Sequence, residues 1–164
     1  MIIRHVQESD LAEVCAIESS NFPEGVATTE AAFRQRIANI FDSFLVAEIK
    51  GQVAGYIEGP VVSHRYLTDD LFHQVEPNPE NGGFMTVTSL SISKNFQGQG
   101  IGTALIAAMK DLAVAQNRQG ISLTCKEQLI GYYESNGFTD EGEAASKHGG
   151  LLWYNLVWEN PYYK

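Results

Sequence analysis

The chain has 164 residues, 44% of them hydrophobic and 10% aromatic, which suffices for one full core and is short for two ordinary domains. Its 20 acidic residues outweigh 11 basic ones to a net charge of −9, the wrong sign for a whole-surface nucleic-acid binder. That apolar content excludes a mainly disordered chain, and two cysteines, Cys15 and Cys125, cannot build a disulfide framework or a four-ligand zinc site.

Residues 2–6 are β-branched and read as a strand. Ser9-Asp10 offers a helix N-cap, and Leu11, Val14, Cys15, Ile17 and Glu18 follow at helical spacing. Asn21-Phe22-Pro23-Glu24-Gly25 breaks that helix. A second opens at Thr28 or Thr29, with Phe33, Ile37, Ile40 and Phe41 as its apolar face. Residues 44–49 and 53–62 form a hairpin about Lys50-Gly51. Residues 63–83 are the longest loop, acidic (Asp69, Asp70, Glu76, Glu80), with a short helical piece at 68–75, and loops of this length in compact domains are usually functional. Residues 84–93 alternate as a strand with an irregularity near Ser89. A strong helix covers 101–117, with Leu105, Ile106, Met109, Leu112 and Ala113 on one face. Then come a strand at 121–125, a short helix at 127–135 stopped by Asn136-Gly137, and a final strand at 151–158. The order suits an α/β (α+β) domain over residues 1–164, a mixed sheet with helices on its faces. No run reaches the roughly 18 apolar residues of a membrane helix, and Met-Ile-Ile-Arg-His-Val lacks a signal core. A soluble, cytoplasmic protein with no membrane or nucleic-acid partner and no metal is the default expectation.

The sharpest motif is Gln97-Gly98-Gln99-Gly100-Ile101-Gly102-Thr103, between a strand and the long helix. Glycines let the backbone approach a ligand closely, and the free amides of a helix start suit a pyrophosphate. A Walker loop would need a lysine after the last glycine, and a dinucleotide fingerprint would need Gly-x-Gly-x-x-Gly. Neither pattern is present.

With this loop the sequence resembles the GNAT family of N-acetyltransferases, whose Gln/Arg-x-x-Gly-x-Gly/Ala motif reads here Gln97-x-x-Gly100-x-Gly102. The resemblance implies a GNAT fold, a mostly antiparallel sheet of six to seven strands with about four helices. It implies that the amides of Gln97, Gly98, Gln99, Gly100, Ile101, Gly102 and Thr103 hold the pyrophosphate of acetyl-coenzyme A, and that main-chain groups of Leu90, Ser91 and Ile92 pair with its pantetheine arm. The segment 125–138, with Tyr132-Tyr133 before Gly137-Phe138, is similar to the family's fourth helix, and Tyr133 matches the tyrosine near the cofactor sulfur. A phenol, with a reference pKa of about 10, can protonate the departing thiolate. Within the family the closest pattern is the arylalkylamine (serotonin-type) branch, which the acidic insert 66–71 also resembles. The two histidines of that branch fall on Thr86 and Thr88, which are not bases but can hold ordered water.

The acceptor amine must lose a proton before it attacks. Glu58 near the end of the third strand, His64 and His73 in the acidic loop, or water alone are the candidates. A glutamate in an apolar cleft has its pKa raised toward neutrality. The acidic loop and Phe22, Tyr66, Phe72 and Phe84 could draw and hold an apolar ammonium, and Lys94, Lys110 and Lys126 are the nearest cations for the coenzyme's 3′-phosphate. The reading is direct acetyl transfer to the primary amine of a small molecule, an arylalkylamine or polyamine, with catalytic Tyr133, Glu58 and Thr88. The alternatives are a protein or peptide amine acetyltransferase and a non-catalytic acyl-coenzyme A sensor. The aromatic tail (Trp153, Tyr154, Trp158, Tyr162, Tyr163) is a candidate homodimer contact.

Overall fold

The computed structural model describes residues 1–146 and 148–164. In chain order it holds β1 (Ile2–His5), α1 (Leu11–Asn21), α2 (Glu30–Asn39), β2 (Phe44–Ile49), β3 (Gln52–Glu58), β4 (Val61–Val62), β5 (Phe84–Thr86), β6 (Ser89–Ile92), α3 (Ile101–Ala115), β7 (Gly120–Cys125), α4 (Ile130–Ser135), β8 (Thr139–Glu143) and β9 (Tyr154–Glu159). The strands form a four-stranded sheet, β1-β2-β3-β6, and a five-stranded sheet, β4-β5-β7-β9-β8. Every pairing is antiparallel except β5 with β7.

The period-two pattern of β2 explains the layering. Leu45 and Ala47 face a core built on α3, which spans both sheets through Leu105, Ile106 and Met109 and meets Met85, Ile121, Leu123 and Leu156. Phe44 and Val46 face a second core with Val14 and Ile17 of α1, Phe33 and Ile37 of α2, and Tyr56. Thr29 caps α2, its hydroxyl accepting the Ala32 amide at 3.2 Å. Phe41, expected on the apolar face of α2, lies beyond the helix and is exposed.

Two expected strands are each broken in two, and the breaks are coupled. The 53–62 stretch bends at Gly59-Pro60, where a Cβ on Gly59 would lie 1.5 Å from the Thr86 carbonyl oxygen. The 84–93 stretch breaks at Val87-Thr88. The Val87 amide makes a bond to β7 (Ser122 carbonyl, 2.8 Å), and the next amide, Thr88, bonds the Glu58 carbonyl at 2.9 Å. Beyond this point β6 stays with β3, while β7 pairs only with β9. A wedge therefore opens between the free edge of β6 and the C-terminal half of β7. The expected single sheet is thus two, and β8, in the acidic run 127–143, adds an outer strand. Trp158 and Tyr154 pack on the core, while Tyr162 and Tyr163 are exposed. No helix among the described residues is long and apolar enough to cross a membrane.

Candidate functional site

The wedge lies at the carboxyl ends of two parallel strand directions, the place where open α/β sheets bind ligands. At its mouth Gly98 and Gly100 both have φ of +79°, a conformation that favours glycine, although no atom would crowd a Cβ at either position. Gly102 is glycine for a different reason. A Cβ there would sit 2.6 Å from the Tyr132 hydroxyl. Among the described residues the amides from Gly98 to Thr103 find no acceptor, and the first inward bond of the turn is Ala104 N–H to the Gly100 carbonyl at 3.1 Å. These donors sit at the positive end of the 15-residue α3. Gln97, Gly98, Gln99, Gly100 and Thr103 are exposed, whereas Ile101 is buried and anchors the turn in the core. The loop therefore fits an anionic diphosphate.

The expected edge residues divide. Leu90 packs on the α3 core. Ser91 turns to α1, where the Asn21 amide donates to its hydroxyl at 2.6 Å. The Ile92 carbonyl takes two side-chain donors, Asn21 at 2.8 Å and Gln97 at 3.1 Å. Both lone pairs of that carbonyl are thus engaged within the chain. The Gln97 side chain likewise turns back to the strand end rather than into the amide loop.

Tyr133, on α4, keeps 9% of its surface. Its ring meets Phe138 (5.8 Å, 69°) and Tyr132 (5.2 Å, 76°) edge-on, and its hydroxyl makes no hydrogen bond among the described residues. Burial, then the neighbouring Cys125, raises its pKa, so it keeps its proton. Burial also pushes the Cys125 thiol up to about 11, which leaves it a poor nucleophile. Lys110, one of the three lysines nearest the loop in sequence, is engaged away from it. It stacks over Phe138 and Trp158 (5.6 and 5.5 Å) and donates to the Asn136 carbonyl, so it fastens α4 to α3.

Across the strand break lies a buried polar cluster. Glu58 is fully buried, which replaces the solvated strand-end alternative. Its Oε1 accepts Arg36 at 2.7 Å and the Thr88 hydroxyl at 2.8 Å, and its Oε2 has no partner. Burial raises its pKa against the pull of Arg36 and Thr88, and the charge of Glu18 adds to the rise. Thr86 is closed off, its hydroxyl donating to the Pro60 carbonyl at 2.6 Å. Sequence reasoning missed Arg36, Glu18, Tyr56 and Ser89. Arg36 is 1% exposed and also donates to the Phe72 carbonyl at 2.8 Å. Glu18 accepts from the Tyr56 and Ser89 hydroxyls on Oε1 and from the Thr28 amide on Oε2. The available signal was a charge on an apolar helical face: Glu18 follows Val14 and Ile17, and Arg36 sits between Phe33 and Ile37. Ser122 Oγ, opposite Thr86 on β7, is a second buried atom without a partner.

The loop histidines do not reach this cluster. His64 is exposed and bonds the Tyr66 carbonyl at 2.8 Å, and His73 is exposed. The acidic loop is a fastened strap. Arg65 holds Glu141 (2.8 and 2.6 Å) and Glu159 (2.7 Å), Tyr66 donates to Glu141 at 2.7 Å, and Ser146 donates to Asp69 at 2.7 Å. Phe84 is buried beneath Arg65, 5.5 Å from its ring centroid, and is not free to hold a substrate.

A family model described as Acetyltransferase (GNAT) family matches residues 11–138. No curated protein sequence matches the chain. Among solved structures, a GNAT-like decarboxylase, GphF, in complex with isobutyryl-CoA has a TM-score of 0.81 at 13% identity, covering 98% of this chain and 100% of that one. The ribosomal-protein-alanine N-acetyltransferase from Brucella melitensis has 0.73 at 21%, covering 97% and 99%. Naa20 from Chaetomium thermophilum in complex with a bisubstrate analogue has 0.72 at 18%, covering 99% and 88%. At these identities the likeness is one of fold.

Proposed function

The chain belongs to the acetyltransferase (GNAT) family, and from that premise we propose that it moves the acetyl group of acetyl-coenzyme A to the primary amine of a small molecule, acting as one domain over residues 1–164. The observation that carries this reading is the wedge, where among the described residues the amides of one lip lack acceptors and the buried carboxylate behind the other has one unpartnered oxygen. Acetyl-coenzyme A supplies the acyl group as a thioester. The amides from Gly98 to Thr103 hold its pyrophosphate, and the free edge of β6, at Leu90 and Ser91, aligns its arm. Glu58 Oε2 takes a proton from the acceptor ammonium, directly or through a water that Thr88 holds. As the nitrogen–carbon bond forms and the carbon–sulfur bond breaks, backbone N–H groups of β6 stabilise the carbonyl oxygen. Tyr133 gives its proton to the leaving sulfur and regains one from the nitrogen, so one proton is released overall.

The strap favours a small acceptor. Arg65 and Tyr66 tie it to β8 and β9 of its own five-stranded sheet, Asp69 accepts from Ser146, and Arg36 of α2 ties it to the helical side, which narrows the room a polypeptide would need. The test is thiol release from acetyl-coenzyme A with 2-phenylethylamine, tryptamine, spermidine, glucosamine and a lysine peptide from about pH 6 to 9. Release with the free amines above the no-amine blank supports the reading. Release with the peptide alone would replace it by protein acetylation, and coenzyme binding without any release would replace it by a sensor.

A further inference from the structure

Glu18 is a buried carboxylate that the chemistry above does not use. It stands beneath the strand break with three donors aimed at it: Tyr56 and Ser89 on one oxygen and the Thr28 amide on the other. Tyr56 and Glu58 lie two residues apart on the same face of β3, and Ser89 is the cross-strand partner of Glu58. The pair Glu58–Ser89 therefore sets the two carboxylates side by side under the wedge, with Arg36 as the one buried guanidinium that touches Glu58. The bond to Thr28 reaches in the other direction. It fixes the 22–28 link between α1 and α2, a stretch that borders the same face and holds the exposed Phe22 and Val26.

We infer that Glu18 is a positioning residue for the amine half of the site, acting through Glu58 and through the 22–28 link rather than on the reacting atoms. The inference rests on the acetyl-transfer reading for its consequence, though its geometry does not. The groups that face Glu58 are Arg36 from α2, Glu18 from α1, Tyr56 from its own strand and Thr88 from the break. Of these Glu18 alone adds negative charge, so removing it eases the ionisation of Glu58. Tyr56→Phe keeps that charge while deleting a hydrogen bond that holds it, which separates the two routes.

The experiment combines two readouts on the full chain. Protein labelled with 13C at the glutamate carboxyl carbon is titrated by NMR, with the Glu58 signal assigned by its absence in Glu58→Gln. In Glu18→Gln the Glu58 midpoint is expected to move down, and in Tyr56→Phe to stay near wild type. An unmoved midpoint in Glu18→Gln would overturn the inference. Kinetics with 2-phenylethylamine and spermidine are expected to show the amine KM raised at least fivefold in both variants, with acetyl-coenzyme A affinity by calorimetry within twofold. Equal loss for the amines and for acetyl-coenzyme A would reduce Glu18 to a packing role. If Glu18→Gln does not fold, the same split in Tyr56→Phe decides. A midpoint that moves in a protein that acetylates no amine counts against the acetyl-transfer reading alone.

Discussion

Replacing Arg36 by Met tests whether Glu58 is held charged inside the fold. The methionine keeps most of the volume on α2 but removes the 2.7 Å ion pair with Glu58 and the 2.8 Å bond to the Phe72 carbonyl. Glu58 is then a buried carboxylate left with only the Thr88 hydroxyl. Breaking one side of a buried pair costs about 3–5 kcal/mol, and the lost hydrogen bond to the Phe72 carbonyl adds about 1 kcal/mol. Because domain stability is about 5–15 kcal/mol, the variant should fold with a much reduced margin. The pH dependence carries the sign. The folded-state pKa of Glu58 already lies above the ordinary glutamate range, and losing Arg36 raises it further. A carboxyl raised in the fold binds more protons folded than unfolded, so stability is lost as pH rises from the ordinary glutamate range through the folded value. The cost of Arg36→Met should therefore be largest at pH 8 and shrink toward pH 5, and adding Glu58→Gln should recover about 2 kcal/mol or more. Urea denaturation of the four proteins of this cycle, at pH 5, 6.5 and 8, measures both effects. A pH-independent cost with a coupling near zero would refute the claim that Glu58 is ionised and paired.

Tyr133→Phe should lower kcat by about tenfold or more while leaving acetyl-coenzyme A affinity within twofold, and parallel losses by stopped-flow and calorimetry would make the residue a packing tyrosine. Because burial raises its pKa, the wild-type rate should show no alkaline loss from this group at or below the ordinary phenol range. Gly100→Val forces a β-branched residue to φ of +79°, so coenzyme affinity should fall by at least tenfold, and retained affinity would sink the anion-loop assignment. Gly102→Ala pushes a Cβ to 2.6 Å from the Tyr132 hydroxyl, but with Tyr132→Phe the next ring atom is 3.8 Å away. The alanine should therefore weaken coenzyme binding in the wild-type background and be tolerated in the phenylalanine background, as a two-by-two calorimetric comparison would show.

The elements that were legible in the sequence were those whose local pattern and tertiary role agree. The long helix at 101–117 carries its apolar stripe on the face that α3 buries, and Gly98 and Gly100 of the 97–103 loop take the positive φ that favours glycine. The irregularity expected near Ser89 is real and falls at Val87-Thr88. What escaped were interactions fixed only in three dimensions. Glu18 and Arg36 look like ordinary charges in a sequence. Only their places among Val14, Ile17, Phe33 and Ile37 mark them as buried, and nothing local says that they meet at β3 and β6. The engagement of Lys110 and of the Ile92 carbonyl escaped for the same reason. Nearness along the chain does not show that packing commits the ammonium to Asn136 and the carbonyl to Asn21 and Gln97.

The strand break would let the coenzyme binding and the proton transfer proposed above sit within one short stretch without competing. Consecutive residues of a strand point their amides and side chains to alternating sides, so at Val87-Thr88 the chain addresses both neighbours at once. Once β7 diverges, the outer edge of β6 is left with polar backbone and no strand partner, a state that a buried sheet does not sustain unless a ligand or water completes it. On the face turned to α1 and α2, the same break places Thr88 against Glu58, whose open oxygen is a second unmet demand. Two unmet demands on opposite sides of one interrupted strand ask for two ligand groups that meet at the break. The acetyl transfer proposed above would supply such a pair, a thioester along the edge and an amine from the helical face.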